Sequence, residues 1–212
     1  LQTTSNRAAW LRTEHGVQAG DRVAVFAKNA PEYIEVLHAC WWLGAVVVPI
    51  NCKLHPREAE WIIRDSEAAL VFTQSGALFA EQADIHEAAL CMPVTQDEKI
   101  TAPAQVEDQD LAWLFYTSGT TGTPKGVMLS HGNVRQMTLC YALDVDAAHP
   151  NDHMLYAAPM SHGAGLYMFA QIRAGGAHLI PASHGFDSEE IIGLAKTRGN
   201  LVFFAAPTMV KR

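Results

Sequence analysis

The 212-residue chain is 49% hydrophobic and 17% charged, an ordinary globular composition that can bury a core as one large domain or two small lobes. Its formal net charge of −7 leaves no broad basic face and argues against nucleic acid as the main partner. No apolar run approaches the roughly 18 residues of a membrane-spanning helix, so we expect no transmembrane segment.

The cysteines and histidines give no sign of a disulfide or metal site. The four cysteines, none of them in a Cys-x-x-Cys pair, are Cys40, Cys52, Cys91 and Cys140. His149 and His153 are four residues apart, but the turn expected at Pro150 favours solvated loop side chains over metal ligands. Residues 1–7 lack the basic and then apolar stretch of a secretion signal. We therefore expect a cytoplasmic protein with reduced thiols.

Strands and helices alternate through the first part of the chain. We expect Asn29 to cap a helix that Pro31 begins and Gly44 ends, and His55 to open the next helix. The expected strands are 22–27, 45–50 and 69–73, and the two helices end near residues 43 and 66. Because continuous apolar strands separated by helices are typical of parallel sheets covered on both faces, the pattern predicts a doubly wound α/β fold.

A polar, acidic stretch interrupts this pattern at residues 96–110. It contains Pro103, and we interpret it as a surface linker between a first lobe, about residues 1–95, and a second lobe, about residues 111–212. The strands expected after it are 111–116, 126–130, 154–158, 177–180 and 201–205. The helices expected after it are 131–143, 165–173, 188–198 and one that begins at Pro207.

Residues 116–127 carry the most specific pattern, because they read Tyr-Thr-Ser-Gly-Thr-Thr-Gly-Thr-Pro-Lys-Gly-Val directly after a strand. Glycines such as Gly126 permit backbone angles closed to other residues, so the N–H groups can point inward at an anion. The pattern is neither the common P-loop nor the dinucleotide fingerprint. A flexible surface turn is the alternative, but such turns rarely carry Pro-Lys-Gly in this order. The residues expected to hold phosphate are Thr117, Ser118, Gly119, Thr120, Thr121, Gly122 and Lys125.

This segment resembles the phosphate-loop signature of the adenylate-forming superfamily: acyl- and aryl-CoA synthetases, luciferases and the adenylation domains of peptide synthetases. Residues 43–51, Leu-Gly-Ala-Val-Val-Val-Pro-Ile-Asn, resemble the family's early strand motif. Residues 159–165, Pro-Met-Ser-His-Gly-Ala-Gly, resemble the Pro-x-x-His-x-x-Gly segment of its CoA ligases. The similarity runs along the whole chain, and it implies part of the N-terminal AMP-binding domain of that fold.

The resemblance implies a two-step reaction with ATP, Mg²⁺, a carboxylic acid and coenzyme A. ATP and the acid give an acyl-adenylate and pyrophosphate, and the thiol of coenzyme A then displaces AMP. Lys125 and the magnesium ion would stabilise the charge that builds on the leaving pyrophosphate.

The resemblance also gives His162 a role, since the histidine of this segment lines or gates the acyl pocket in the CoA ligases. The alternative is a histidine that caps a helix start. Amino-acid-activating relatives usually place an aspartate here, and residues 161–170 contain no acidic residue. A fatty or aromatic acid is therefore implied, for which Gly163 and its small neighbours leave room.

The family's later motifs are not found, so the adenine, ribose, magnesium and catalytic-lysine positions and the C-terminal domain are expected beyond Arg212. We expect this piece to be inactive alone, because the opposing groups are missing, and to self-associate through exposed apolar surface. Two other classes stay open. One is a nucleotide- or phosphate-binding module without catalysis. The other is a hydrolase using Ser161 and His162, against which the absence of a Gly-x-Ser-x-Gly pentapeptide argues.

Overall fold

The computed structural model describes residues 2–91, 102–117 and 124–211, which divide into two compact units. The first comprises Leu1–Ala27 and Pro31–Gly132, and the second comprises Lys28–Ala30 and Asn133–Arg212. This grouping differs from the two expected lobes, because the strands that follow the acidic stretch pair with the sheet of the first unit. Much of the expected linker lies outside the described residues, and its role as a linker stays a prediction.

The first unit is built on a six-stranded sheet with the order β4-β3-β1-β2-β5-β6. Its strands are β1 (Arg22–Phe26), β2 (Val46–Pro49), β3 (Ala68–Thr73), β4 (Glu87–Ala89), β5 (Leu111–Thr117) and β6 (Lys125–Ser130). Neighbouring strands run parallel, except that β6 is antiparallel to β5. The five strands expected here are confirmed to within one residue at each end, whereas β4 was not predicted.

The helices that the described residues of this unit form are α1 (Gln2–His15), α2 (Pro31–Trp42) and α3 (Pro56–Asp65). The expected start of α3 is confirmed by a capping box, in which His55 Nδ1 accepts from the N–H of Arg57 and Glu58 accepts from the N–H of His55. Gly44 follows α2 with a φ of +74°, and a Cβ there would lie 3.2 Å from the side chain of Ala104. A glycine is therefore needed where the chain turns from α2 into β2.

The second unit contains a parallel three-stranded sheet with the order β8-β7-β9. Its strands are β7 (His153–Leu155), β8 (Ala177–Leu179) and β9 (Leu201–Val202). Its helical segments are most of α4 (His131–Cys140), a π-helical turn (Tyr141–Val145), α5 (Gly163–Leu166), α6 (Met168–Ala174), α7 (Ser188–Arg198) and α8 (Pro207–Val210). The elements expected here are confirmed, but the strands are shorter than expected, and the long expected helices are broken after Cys140 and Leu166.

The fold is thus the predicted α/β class with mainly parallel strands. In the described ranges, no helix combines the length and apolarity that crossing a membrane requires.

Candidate functional site

The base of the predicted phosphate loop lies where β5 and β6 pair. Thr117 and Lys125 lie directly opposite each other across this pair, and both side chains are exposed. A hydroxyl and an ammonium group therefore stand at the two ends of the connecting segment, which suits the oxygen atoms of a polyphosphate. Residues 118–123 are outside the described part of the chain, so the roles of Ser118, Gly119, Thr120, Thr121 and Gly122 stay predictions.

Tyr116, the residue before Thr117, is anchored to α3. Its hydroxyl donates a hydrogen bond to Asp65 Oδ2 at 2.6 Å, and its ring meets that of Trp61 edge to face at a centroid distance of 6.4 Å. Burial and then the bond to Asp65 raise the pKa of the Tyr116 phenol, so the group remains a donor at neutral pH. No sequence pattern connects Asp65 with the loop.

Gly126 is needed for packing, whereas the expected reason for a glycine at this position was its backbone freedom. It does not take a positive φ angle. Instead, a Cβ at Gly126 would lie 3.0 Å from Cζ and 3.2 Å from Cε2 of Tyr116, its partner across the strand pair. The aromatic ring thus lies over the bare backbone of the glycine, a cross-strand arrangement known to stabilise glycine in sheets.

His162 belongs to the second unit, at the residue before α5. His162 is the N-cap residue of α5, but its side chain is exposed and makes no capping hydrogen bond to that helix. The buried Ser161 places its Oγ 3.1 Å from His162 Nδ1. The role of His162 as a pocket gate stays a prediction.

A cavity of about 290 Å³ lies in the same unit and was not predicted. Its wall includes the aromatic rings of Tyr141, Tyr167 and Phe204, with centroids 5.2 Å apart for the first pair and 5.8 Å for the second. The other lining side chains are also uncharged. Gly163, expected to leave room for a ligand, instead admits Phe204, whose Cε2 would lie 3.2 Å from a Cβ there. A cavity with this lining suits an apolar ligand body.

Within residues 2–91, 102–117 and 124–211, no group of three or more His, Cys, Asp or Glu side chains could hold a metal ion. The four cysteines are free, and only Cys40 is buried.

A family model described as AMP-binding enzyme matches residues 1–212. Feruloyl-CoA synthase of Amycolatopsis sp is 33% identical over 92% of this chain and 40% of its own length. 2-Succinylbenzoate--CoA ligase of Bacillus licheniformis is 32% identical over 93% of this chain and 41% of its own length. Long-chain-fatty-acid--CoA ligase FadD13 of Mycobacterium tuberculosis is 33% identical over 78% of this chain and 35% of its own length. The chain therefore spans less than half the length of these relatives.

Solved structures agree in fold. O-succinylbenzoate coenzyme A synthetase (MenE) of Bacillus subtilis, in complex with ATP and magnesium ion, superposes with a TM-score of 0.82 at 26% identity, covering 98% of this chain and 56% of its own. The N-terminal domain of FACL13 from Mycobacterium tuberculosis gives 0.82 at 28% identity, covering 99% of this chain and 55% of its own. The resemblance drawn from residues 116–127 is confirmed.

Proposed function

The chain belongs to the AMP-binding enzymes, and from that membership we propose that the full-length protein activates a carboxylic acid with ATP and passes the acyl group to coenzyme A. The first step forms an acyl-adenylate and releases pyrophosphate, and the second forms the thioester and releases AMP. The observation that carries the proposal is the opposed pair Thr117 and Lys125, which brings a hydroxyl and an ammonium group to the ends of segment 118–123.

Lys125 has the main electrostatic role in this proposal. Its ammonium group attracts the phosphate oxygens and stabilises the negative charge that grows on pyrophosphate as it leaves. Thr117 donates a hydrogen bond to the same phosphates, and Asp65 holds the adjacent Tyr116 in place. A magnesium ion bound together with ATP would neutralise phosphate charge at this site.

The acid belongs to the class with an apolar body, aromatic or fatty. The uncharged, aromatic-lined cavity beside Tyr167 supports this choice, because it offers contact area to an apolar body. The three relatives named above are, by their names, a feruloyl-CoA synthase, a 2-succinylbenzoate ligase and a long-chain fatty acid ligase. We assign His162 to the entrance of the acid pocket.

Pyrophosphate release by the purified full-length protein tests the proposal, with ATP, Mg²⁺ and either ferulate, 2-succinylbenzoate or palmitate. We expect release that depends on one of these acids, and formation of its thioester when coenzyme A is added. Lys125→Ala should slow release by roughly 100-fold or more, whereas Lys53→Ala, at another exposed lysine of the first unit, should have no effect. ATP binding without release for any acid would favour the alternative of a binding module.

The 212-residue chain alone should behave differently. We expect no acid-dependent pyrophosphate exchange, because groups opposing the phosphate loop are needed to orient the reactants. We also expect self-association, since the edge strand β6 exposes 47% of Val127 and 71% of Met128. Sedimentation velocity measures the second expectation, and a monomer at all concentrations would contradict it. A cytoplasmic location stays part of the proposal.

A further inference from the structure

Asn29 uses its side chain in a way that the sequence did not predict. The expected capping of α2 is wrong, because the side chain instead binds a segment 127 to 131 residues away. Its Nδ2 group donates to the carbonyl oxygens of Tyr156 at 2.9 Å and Ala158 at 2.8 Å. Its Oδ1 accepts from the N–H of Met160 at 2.9 Å. Since carbonyls only accept and N–H groups only donate, these partners also fix the orientation of the amide.

The three bonded residues follow the end of β7, where the chain leaves the strand and bends at Ala158. Just before these residues β7 pairs with β8, in a register that places Leu155 beside Leu179. The last bond of this ladder runs from the N–H of Tyr156 to the carbonyl of Leu179 at 3.0 Å. In a parallel ladder, the next donor to the carbonyl of Tyr156 is the residue two after Leu179.

That residue is Pro181, which has no N–H group. The proline therefore ends the pairing of β7 with β8 and leaves the carbonyl of Tyr156 without its strand donor. The Asn29 amide donates to this carbonyl, and the same amide group also binds Ala158 and Met160. Because Asn29 is only 6% exposed, water has little access to take its place.

The main chain of Asn29 is held as well. His184 Nδ1 donates to the Asn29 carbonyl at 3.0 Å, and His184 lies in the turn that follows Pro181. The Glu190 carboxylate accepts from the N–H groups of Ala182 and Ser183 in that turn. The turn after Pro181, where β8 ends, thus also holds Asn29, whose amide replaces the N–H group that Pro181 lacks.

We propose that Asn29 is a positioning residue, which substitutes for the absent donor at Pro181 and fixes the course of residues 156–160 so that His162 is correctly placed. His162 lies two residues beyond Met160, the last residue that Asn29 binds. This inference rests on the proposed function, in which His162 serves the acid and the loop base serves ATP.

The anchor can be tested first in the wild-type protein, by hydrogen exchange of backbone amides. The amide of Met160 should exchange far more slowly than that of an exposed residue such as Asn151, because its partner Oδ1 is buried. Fast exchange at Met160 would overturn the inference. This measurement depends on no variant and on no activity.

Kinetics of the full-length protein then test the positioning role. The acid used is whichever of ferulate, 2-succinylbenzoate and palmitate gives the highest wild-type rate. Asn29→Ala should raise the KM for that acid on the order of tenfold while changing the KM for ATP by less than about twofold. Asn151→Ala, at an exposed asparagine of the same unit, is the matched control and should match wild type. An unchanged KM for the acid, or an equal rise for acid and ATP, refutes the inference.

A second substitution tests the part assigned to Pro181. In the double variant Asn29→Ala with Pro181→Ala, residue 181 regains an N–H group opposite the carbonyl of Tyr156. We expect the double variant to recover part of the affinity for the acid that Asn29→Ala loses. No recovery would contradict the inference that the Asn29 amide replaces the N–H group missing at Pro181. A wild-type protein without acid-dependent pyrophosphate release refutes the proposed function alone, because slow exchange at Met160 would still support the anchor.

Discussion

A single methyl group added at Gly126 should destabilise the first unit by about 1–2 kcal/mol. The new Cβ would lie 3.0 Å from Cζ, 3.2 Å from Cε2 and 3.3 Å from the hydroxyl of Tyr116. These distances are shorter than the contact optimum of about 3.5–4.0 Å, so the ring must move. Asp65 and Trp61 oppose that movement. Overpacking costs about 1–3 kcal/mol, and the lower part of this range applies because Tyr116 is only half-buried.

Tryptophan fluorescence during urea unfolding measures the free energy of unfolding of the first unit. The five tryptophans, all in the first unit, are Trp10, Trp41, Trp42, Trp61 and Trp113. Gly126→Ala is compared in three backgrounds: wild type, Tyr116→Phe and Tyr116→Ala. Phenylalanine keeps the ring carbons that meet the methyl group, so the loss should persist. In the Tyr116→Ala background the methyl group has space, and Gly126→Ala should be neutral or stabilising by up to about 1 kcal/mol.

The comparison isolates the contact between the two residues, since a double-mutant cycle subtracts the effects that each substitution has alone. An equal loss in all three backgrounds would refute the reasoning, because the ring would then not be the cause. A loss in the wild-type background alone would instead assign the penalty to the Tyr116 hydroxyl and its bond to Asp65.

Three further predictions concern stability. Gly193→Ala in the middle of α7 should stabilise by about 1 kcal/mol, because a Cβ there meets nothing within 4 Å, and thermal unfolding followed by circular dichroism checks it. Asp187→Ala should lose about 1 kcal/mol in the same assay, since its carboxylate accepts from the N–H of Glu190 at 2.8 Å as the cap of α7; an unchanged midpoint would contradict it. Burial and then the neighbouring His86 lower the pKa of His15 in the folded protein below 6.5. The contribution of neutral His15 to folding stability is therefore present above that pH and is lost as pH falls, because the unfolded chain then binds the proton more readily. His15→Gln should therefore reduce the fall in urea midpoint between about pH 7.5 and about pH 5.5, and an identical fall in both proteins would contradict the assignment.

The central strands were predictable because their burial is uniform. Val23, Val47 and Val71 are fully buried, and short β-branched runs of such residues between turn signals are typical of strands buried on both faces. The same argument fails for α1, whose buried face includes Ser5, Asn6 and Arg7. Polar residues at buried positions remove the apolar periodicity by which a helix is recognised. The short strand β4 was missed for a similar reason, since its three residues are all only half-buried.

The residues of the candidate site that lie in a donor-rich stretch of sequence were predictable. The contacts between residues that are far apart in the sequence were not. Lys125 and Thr117 follow from the density of donors around them. The link from Tyr116 to Asp65 joins residues 51 positions apart, and Asn29 binds partners more than 120 positions away. Asn29 has a local alternative role as a helix cap, because asparagine followed by a first-turn proline is typical of helix starts. Only the tertiary structure shows which of the two roles the side chain takes.

The tripeptide Lys28–Ala30 belongs to the second unit, although the chain on both sides of it belongs to the first. During synthesis on a ribosome, Asn29 therefore emerges long before the carbonyl groups of Tyr156 and Ala158 that it will bind. Excising residues 133–212 for separate expression would likewise leave those carbonyls without their donor, so the second unit cannot be recovered intact as one continuous piece. Any dissection of this protein must keep its early residues.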